Sequence, residues 1–166
     1  MKEKIREYVP YLIAIIVVLM VKKYIVSFIL VKGDSMYPTL KSGDFMILEK
    51  ISVKFSNIKR FDIVVVNSDK SSLIKRVIAL PTEKVEYKDN KLYINGEILE
   101  EDFLDSSVYT KDFTYNRTLG DNEYFVLGDN RSVSKDSRAF GAVTKSEIEG
   151  KAIFTLFPFT NFGTKK

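Results

Sequence analysis

An uncharged apolar run near the N-terminus is the sequence feature that most constrains how this chain can fold. Residues 9–21 read VPYLIAIIVVLMV, and after Lys22-Lys23 the apolar character resumes in YIVSFILV at 24–31. Neither half spans the roughly 30 Å of bilayer hydrocarbon, which takes about 20 helical residues, but the two joined halves do. The two lysines then lie late in the span, where long stems carry their ammonium groups to the headgroups. We therefore predict one membrane anchor helix over 9–31, after a short N-terminal segment at 1–8 that the function implied further below would place in the cytoplasm.

Two other interpretations of this run are open. A cleavable targeting peptide also begins with basic residues, here Lys2, Lys4 and Arg6, followed by an apolar stretch, although no small-x-small cleavage site appears before Lys22. A buried amphipathic helix is disfavoured because residues 12–21 are apolar all round. Basic residues flank the run on both sides, so their count does not decide which side of the membrane the domain occupies.

The remainder of the chain, 32–166, is long enough for one core and consists of short apolar runs broken by turn residues. This pattern predicts a mainly β domain behind the membrane helix. Asn95-Gly96 and Asp89-Asn90 are hairpin-turn dipeptides, the first between LYI and EIL. The strand candidates are 45–51, 61–66, 73–80, 84–87, 92–94, 124–127 and 151–157.

Two segments differ from the strands. Residues 100–121 are polar and read as a long excursion or flexible flap, a class of segment that is more often functional or mobile than structural. Residues 146–149 are expected to form one helical turn.

The amino-acid composition limits the kinds of metal site and binding partner that this chain can have. The chain has no cysteine and no histidine, which excludes a disulfide framework, a thiolate metal site and imidazole ligands. Metal binding is left to carboxylates, and no clustered set of them is evident, so we predict neither metal nor cofactor. The net charge of +4 comes from lysines spread along the chain, without a basic run interleaved with aromatics. That distribution favours a lipid bilayer over a nucleic acid as a partner.

Ser35 and Lys75 are the candidate reactive pair. A serine hydroxyl is a weak nucleophile that needs a nearby base, and in a chain without histidine that base cannot be imidazole. The adjacent Arg76 cannot serve, because a guanidinium stays protonated. A Ser/Lys dyad is therefore the natural candidate, although Ser35 also suits an ordinary turn and Lys75 a solvated edge strand.

The strand containing Lys75 suggests how this amine is activated. Period-2 counting places Lys75 on one face with Leu73, Val77 and Ala79, all of them apolar. Burial among apolar groups disfavours the ammonium form, and lowering its pKa by about three units takes ~4 kcal/mol of differential desolvation. We therefore expect Lys75 to be neutral and able to act as a base.

A third polar cluster occupies 127–138, LGDNRSVSKDSR. Its arginines, acids and hydroxyls can form a self-satisfying network in which Asp136 pairs with Arg138, and its hydroxyls can orient a neutral lysine amine. The structural and the catalytic interpretation both remain open at this point.

Taken in order, these segments resemble the sequence boxes of bacterial type I signal peptidases, membrane-anchored Ser/Lys proteases of the S26 class. The resemblance covers nearly the whole chain and is closest to the short Gram-positive form. The matching segments are GDSMYPTL at 33–40, SGD at 42–44, FDIVVV at 61–66, IKRVIALP at 74–81, NG at 95–96 and GDNRSVSKDSR at 128–138.

The resemblance implies a role for each matching residue. Ser35 is the nucleophile, Lys75 the general base, Ser134 a hydroxyl that positions the lysine, and Asp136 with Arg138 a supporting ion pair. Residues near Ser35, Met36 among them, would line the pockets that admit substrate side chains.

The implied fold is the signal-peptidase-like β domain behind a single-pass membrane helix, on the extracytoplasmic side of the cell membrane. The implied activity is removal of N-terminal signal peptides from exported preproteins, without a cofactor. The implied partners are those signal peptides and the bilayer, with the secretion translocon as a further candidate and no nucleic acid.

Two positions depart from the family pattern. The box after the lysine usually continues Gly-Leu-Pro-Gly-Asp, whereas this chain has Ala79 to Glu83, ALPTE. Gly33 stands where some members have a serine that assists the oxyanion hole, which leaves backbone donors such as the Ser35 N–H. Two other functions stay open: a specialised Ser/Lys processing protease or autopeptidase, and a non-catalytic membrane-anchored β module.

Overall fold

The computed structural model describes residues 2–55, 58–68 and 71–165. It opens with helix α1, Lys2–Tyr24, whose side chains from Tyr8 onward are exposed. Among the described residues, no helix combines the length and the apolar content that crossing a bilayer requires.

The predicted continuation of this helix to Val31 is wrong. The last helical hydrogen bond at this end runs from Ile25 N to Val21 O at 2.9 Å, and Ile25 O then accepts a bond of 2.9 Å from Lys50 N. Residues Val26–Leu30 form a strand instead, paired with Phe45–Glu49. The sequence of this segment, VSFIL, is rich in β-branched and aromatic side chains, and a neighbouring strand satisfies its backbone, so tertiary pairing overrides the helix.

The remainder of the chain is mainly β, as predicted. The strands are β1 (Val26–Leu30), β2 (Phe45–Glu49), β3 (Ile63–Ser68), β4 (Ser71–Ala79), β5 (Val85–Lys88), β6 (Lys91–Ile94), β7 (Glu97–Leu99), β8 (Phe113–Thr114), β9 (Glu123–Leu127), β10 (Val143–Thr144), β11 (Ile148–Phe157) and β12 (Gly163–Thr164). Short helices α2 (Ile51–Lys54) and α3 (Ser137–Phe140) and the 3-10 turns Lys145–Glu147 and Phe159–Asn161 lie between them. The first of these turns confirms the helical turn expected near residue 146.

The strands form two antiparallel sheets. The larger, eight-stranded sheet has the order β1-β2-β11-β3-β4-β9-β10, with β12 also paired to β11. The smaller sheet has the order β7-β6-β5-β8. Both predicted hairpins are confirmed in it: Asn95 and Gly96 turn β6 into β7 with φ of 54° and 87°, the positive values that such turns require.

The polar segment 100–121 is held against the smaller sheet. Its strand β8 pairs with β5, its Leu119 is buried, and the Thr110 N–H donates a 2.8 Å hydrogen bond to Asn90 Oδ1. Apolar side chains within the polar stretch supply this attachment, because Phe113 stacks between Tyr87 and Phe125.

Strand β4 runs through the centre of the large sheet and carries the candidate base. Its ladder with β9 covers only Arg76–Ala79, so within the described chain the edge at Ser72–Lys75 has no strand on that side. The predicted alternation fails after Val77, where a register shift separates Val77 from Ala79. Val77 packs in one apolar cluster, whereas Ala79 and Ile78 both pack in another.

Candidate active site

Ser35 lies in the turn that joins β1 to β2. Gly33 enters this turn with φ of +83°, a value that L side chains rarely adopt. The Leu40 N–H donates to Met36 O at 2.9 Å, and the side chains of Met36 and Leu40 are buried in the core. The turn is therefore anchored by its apolar residues, while Ser35 itself stays half-buried at the surface.

Lys75 reaches this serine from strand β4. Its Nζ lies 2.7 Å from Ser35 Oγ and donates a 2.9 Å hydrogen bond to Ile74 O. The side chain is 2% exposed. Burial lowers the pKa of the Lys75 ammonium, an effect that the carboxylates of Asp136 and Asp129 partly oppose. The net shift favours the neutral amine that the sequence analysis expected.

The first of those carboxylates, Asp136, is neutralised by the arginine predicted for it. Arg138 contacts Asp136 through Nε and a terminal nitrogen, each at 2.8 Å, and the Gly128 N–H donates to the same carboxylate at 3.1 Å. Burial alone would raise the pKa of Asp136, but these donors outweigh it and hold the pKa below its ordinary value. Asp136 is thus ionised, and the positive charge of Arg138 compensates much of its negative charge.

The second carboxylate belongs to a buried ion pair that the sequence analysis missed. Arg76 donates to both oxygens of Asp129, from Nε at 2.8 Å and from a terminal nitrogen at 2.7 Å. Thr39, four residues after the candidate nucleophile, donates to the same carboxylate at 2.6 Å. This pair joins the turn of Ser35 to the strand of Lys75.

Residues after β9 close the site from another side. The Asn130 N–H donates to Ser35 O at 3.0 Å, and its side-chain amide donates to Asp34 O at 3.1 Å. A Cβ atom on Gly128 would lie 2.2 Å from Ser134 Oγ and 2.4 Å from Ser35 O. Only glycine allows the two backbones to approach this closely.

Ser134 is brought to the site without a hydrogen bond to the lysine. Its Oγ is buried near the Asp136 carboxylate and lacks a partner of good hydrogen-bond geometry. In the described structure, Lys75 Nζ is bonded only to Ser35 Oγ and Ile74 O. The Ser134 hydroxyl is thus available for a further hydrogen bond.

Arg131 fixes the 127–138 segment to the smaller sheet. It pairs with Glu101 at 2.6 Å, and both side chains are buried. Its other donors reach Tyr87 Oη and Thr110 Oγ1, each at 3.0 Å, and Gly128 O at 3.1 Å. Tyr87 also donates a short hydrogen bond to Glu101. The polar excursion therefore contributes directly to the support of the site, a role that no local sequence pattern indicates.

A cavity of about 490 Å³ lies beside the pair, with both Ser35 and Lys75 in its lining, and we call it the dyad groove. It lies between the end of β1 and the open edge of β4, and its lining is largely apolar. The lining residues are Ile29 to Gly33, Ser35, Met36, Val65 and Ser72 to Lys75. Met36, the predicted substrate contact, is therefore part of the groove wall.

The chemistry available here is proton transfer. A neutral Lys75 amine can accept the proton of the Ser35 hydroxyl, which would make Ser35 Oγ a nucleophile towards a carbonyl group in the dyad groove. No group of three or more acidic side chains converges as a metal site within the described ranges.

Known proteins resemble this chain over nearly its whole length. A family model described as signal peptidase, peptidase S26, matches residues 5–157. Signal peptidase IB of Staphylococcus aureus (strain COL) is 35% identical over 180 residues, covering 98% of this chain and 94% of that protein. Signal peptidase I of Bacillus caldolyticus is 38% identical over 174 residues, covering 97% and 96%.

A solved structure agrees with these relatives. The crystal structure of a signal peptidase I from Enterococcus faecalis V583 matches with a TM-score of 0.51 and 40% identity, over 57% of this chain and 95% of that chain. The resemblance that the sequence boxes predicted is thereby confirmed, and the chain belongs to the signal peptidase family, peptidase S26.

Proposed function

We propose that this protein is a membrane-bound endopeptidase that removes N-terminal signal peptides from exported preproteins by a Ser/Lys mechanism. The observation that carries the proposal is the 2.7 Å separation between Ser35 Oγ and Lys75 Nζ, with the lysine buried. The relatives are signal peptidases I and IB, which supports the substrate class.

The reaction needs only groups of the site and water. Ser35 Oγ attacks the scissile carbonyl carbon as its proton passes to Lys75 Nζ, and the resulting ammonium gives that proton to the leaving amine. The backbone N–H of Ser35 is the nearest candidate to hold the oxyanion, since Gly33 offers no hydroxyl. Water then attacks the acyl-enzyme ester and gives a proton to Lys75 Nζ, which returns it to Ser35 Oγ as the ester breaks.

We assign supporting roles to three residues of the 127–138 segment. Asp136 and Arg138 hold the segment in shape and keep the negative charge near Lys75 largely compensated, so the amine is not driven towards the ammonium form. Ser134 orients the amine once its hydroxyl rotates; its buried, unpartnered Oγ supports this role. All three act on the dyad rather than on the substrate.

The substrate would bind as an added strand. The open edge of β4 at Ser72–Lys75 offers backbone groups to an extended peptide, and the dyad groove lies along that edge. The side chains of Ile74, Val65 and Met36 leave shallow apolar space beside Ser35. Small side chains at the first and third positions before the cut would fit there.

We propose that helix α1 attaches the domain to the cell membrane, with the N-terminus in the cytoplasm and the catalytic domain outside. Residues 9–21 of the helix are uncharged and exposed on every side. Contact with lipid would stabilise this apolar surface better than contact with water. On that side the domain would meet preproteins as they leave the secretion translocon. Flotation with lipid vesicles, compared between the full chain and a chain lacking residues 1–24, tests the attachment.

Cleavage of a preprotein with an Ala-x-Ala site, followed by N-terminal sequencing of the product, tests the activity. Ser35→Ala and Lys75→Arg should each abolish cleavage, the second because a guanidinium cannot act as a base. Ser106→Ala and Lys88→Arg, at exposed positions, are the matched controls and should cleave normally. Normal cleavage by Lys75→Arg would refute the proposed mechanism, and self-cut fragments in the absence of preprotein would favour an autopeptidase.

A further inference from the structure

The two faces of the β3–β4 pair open onto different cavities. Leu73 lies directly opposite Val66, and Ile74 lies directly opposite Val65. Because successive side chains of a strand point to opposite faces, the Leu73–Val66 face and the Ile74–Val65 face are the two sides of the sheet. Val65 and Ile74 line the dyad groove, whereas Val66 lines a second cavity of about 290 Å³.

This second cavity, which we call the Leu73 cavity, abuts the dyad groove. Leu73 lines both spaces. Val66, Phe140 and Val143 contribute apolar surface, and Lys135, next to Ser134 in the chain, brings a positive charge to the rim. The Leu73 cavity is therefore an amphipathic space on the far side of the edge from the groove.

The charges at this rim are not equally available. Glu147 accepts hydrogen bonds from the Thr144 N–H at 2.7 Å and from Thr144 Oγ1 at 2.6 Å, so its carboxylate is engaged within its own turn. Lys135 is exposed and forms no ion pair with any residue that the structure describes. Glu147 keeps its charge but is held to Thr144, so Lys135 is the charged group of the rim that is free to pair with an incoming side chain.

We infer that the Leu73 cavity binds the side chain of the second residue before the cut, an inference that rests on the proposed peptidase function. A peptide strand paired to the β4 edge points alternate side chains to opposite faces. When the side chains of the first and third residues enter the dyad groove, the side chain of the second lies on the Leu73 face. Directly opposed residues of paired strands have Cβ atoms roughly 4.5–5.5 Å apart, so the second side chain can reach the residue of β4 that lies opposite it.

The chemistry of the cavity specifies which side chain it favours. Apolar walls suit an aliphatic stem, and Lys135 suits an acidic end, so glutamate is preferred and lysine is disfavoured at this position. Because the rim is solvent-exposed, the preference is modest, about threefold in kcat/KM for Glu over Lys.

Peptides that carry Ala-x-Ala sites with x as Glu, Gln or Lys test this inference on the full chain in detergent. The wild type should rank them Glu, Gln, Lys in kcat/KM. Lys135→Glu should reverse the order and change the Glu-to-Lys ratio by about tenfold, while Lys88→Glu, with the same charge change at an exposed site on β5, should leave the ratio unchanged. An unchanged ratio in Lys135→Glu would overturn the inference.

A binding measurement separates this inference from the proposed function. The same peptides, labelled with a fluorophore, are titrated into Ser35→Ala protein with and without Lys135→Glu. Loss of the Glu preference with Lys135→Glu supports the subsite. Peptides that bind with no dependence on x overturn it while leaving the peptidase function intact. Wild-type protein that binds these peptides but cuts none would refute the peptidase function and, with it, this subsite assignment.

Discussion

Gly128 and Ser35 approach so closely that a single methyl group cannot fit between them. A Cβ atom at Gly128 would lie 2.4 Å from the carbonyl oxygen of Ser35 and 2.2 Å from Ser134 Oγ. The backbone N–H of Asn130, two residues on, donates to the same carbonyl oxygen at 3.0 Å. The 127–138 segment thus sets the position of the candidate nucleophile through its backbone.

Gly128→Ala should therefore displace the Ser35 turn and reduce kcat by at least tenfold. The added methyl meets backbone as well as a side chain, and overpacking of this kind costs about 1–3 kcal/mol. Gly120→Ala is the matched control, because its Cβ would meet only the flexible end of Glu123, at 3.3 Å, in another Gly-Asp turn. Equal kcat values in the two variants would show that the close approach is unimportant for catalysis.

The pH profile of kcat/KM should report the ionisation of Lys75. Activity needs the neutral amine, so it is low below the Lys75 pKa and rises as the pH passes through it. Burial lowers this pKa and Asp136 partly restores it. Asp136→Asn should therefore move the rising limb to lower pH, whereas Arg138→Met, which leaves the Asp136 charge uncompensated, should move it to higher pH.

Stopped assays from pH 5 to 10 on both variants measure these shifts. If the variants merely misfolded, activity would fall at every pH, but the rising limbs of the two pH profiles would not move in opposite directions. Limbs that coincide with that of the wild type would exclude Lys75 as the titrating base.

Much of the fold follows from local patterns. The two hairpin turns, the strand at 124–127 and the turn near residue 146 lie where the sequence predicts them, because each depends on near neighbours in the chain. The sequence places the residues of strand β1 in the membrane helix instead, because a short apolar run fits a helix or a strand equally well. The short strands β8, β10 and β12 carry too few residues to show a period.

In the candidate site, too, some residues can be predicted from local sequence while others depend on contacts between distant parts of the chain. Ser35 and Lys75 could be singled out from residue chemistry and a buried strand pattern. The pairings Arg76–Asp129 and Arg131–Glu101 join residues 53 and 30 positions apart, and many acids in the sequence could equally have filled either place. The alternation on β4 correctly placed Lys75 among buried groups but failed at Ala79, where the register shift reverses the faces.

Lys75→Met should make the protein more stable at neutral pH while abolishing its activity. Burial lowers the pKa of Lys75 in the folded protein below its unfolded value of 10.5, so the folded state binds this proton less tightly than the unfolded state does. The wild type therefore gains stability as the pH rises between these two values, with a slope of up to about 1.4 kcal/mol per pH unit. Urea unfolding at pH 7 and pH 9 measures the slope, which should be smaller in Lys75→Met. Equal slopes would mean that Lys75 is protonated in the folded protein.

Glu101→Gln tests whether the buried pair with Arg131 holds the 127–138 segment in place. The substitution leaves a guanidinium without its carboxylate, and breaking a buried pair in this way costs about 3–5 kcal/mol. The double variant Glu101→Gln/Arg131→Met should recover part of that loss, because it removes the uncompensated charge. Chemical denaturation of the single and double variants gives the coupling free energy.

Glu123→Gln, which breaks the more exposed Arg117–Glu123 pair, should cost about 0–1 kcal/mol. Equal losses in Glu101→Gln and Glu123→Gln would contradict a structural role for the Arg131 pair, since burial is the property that separates the two sites.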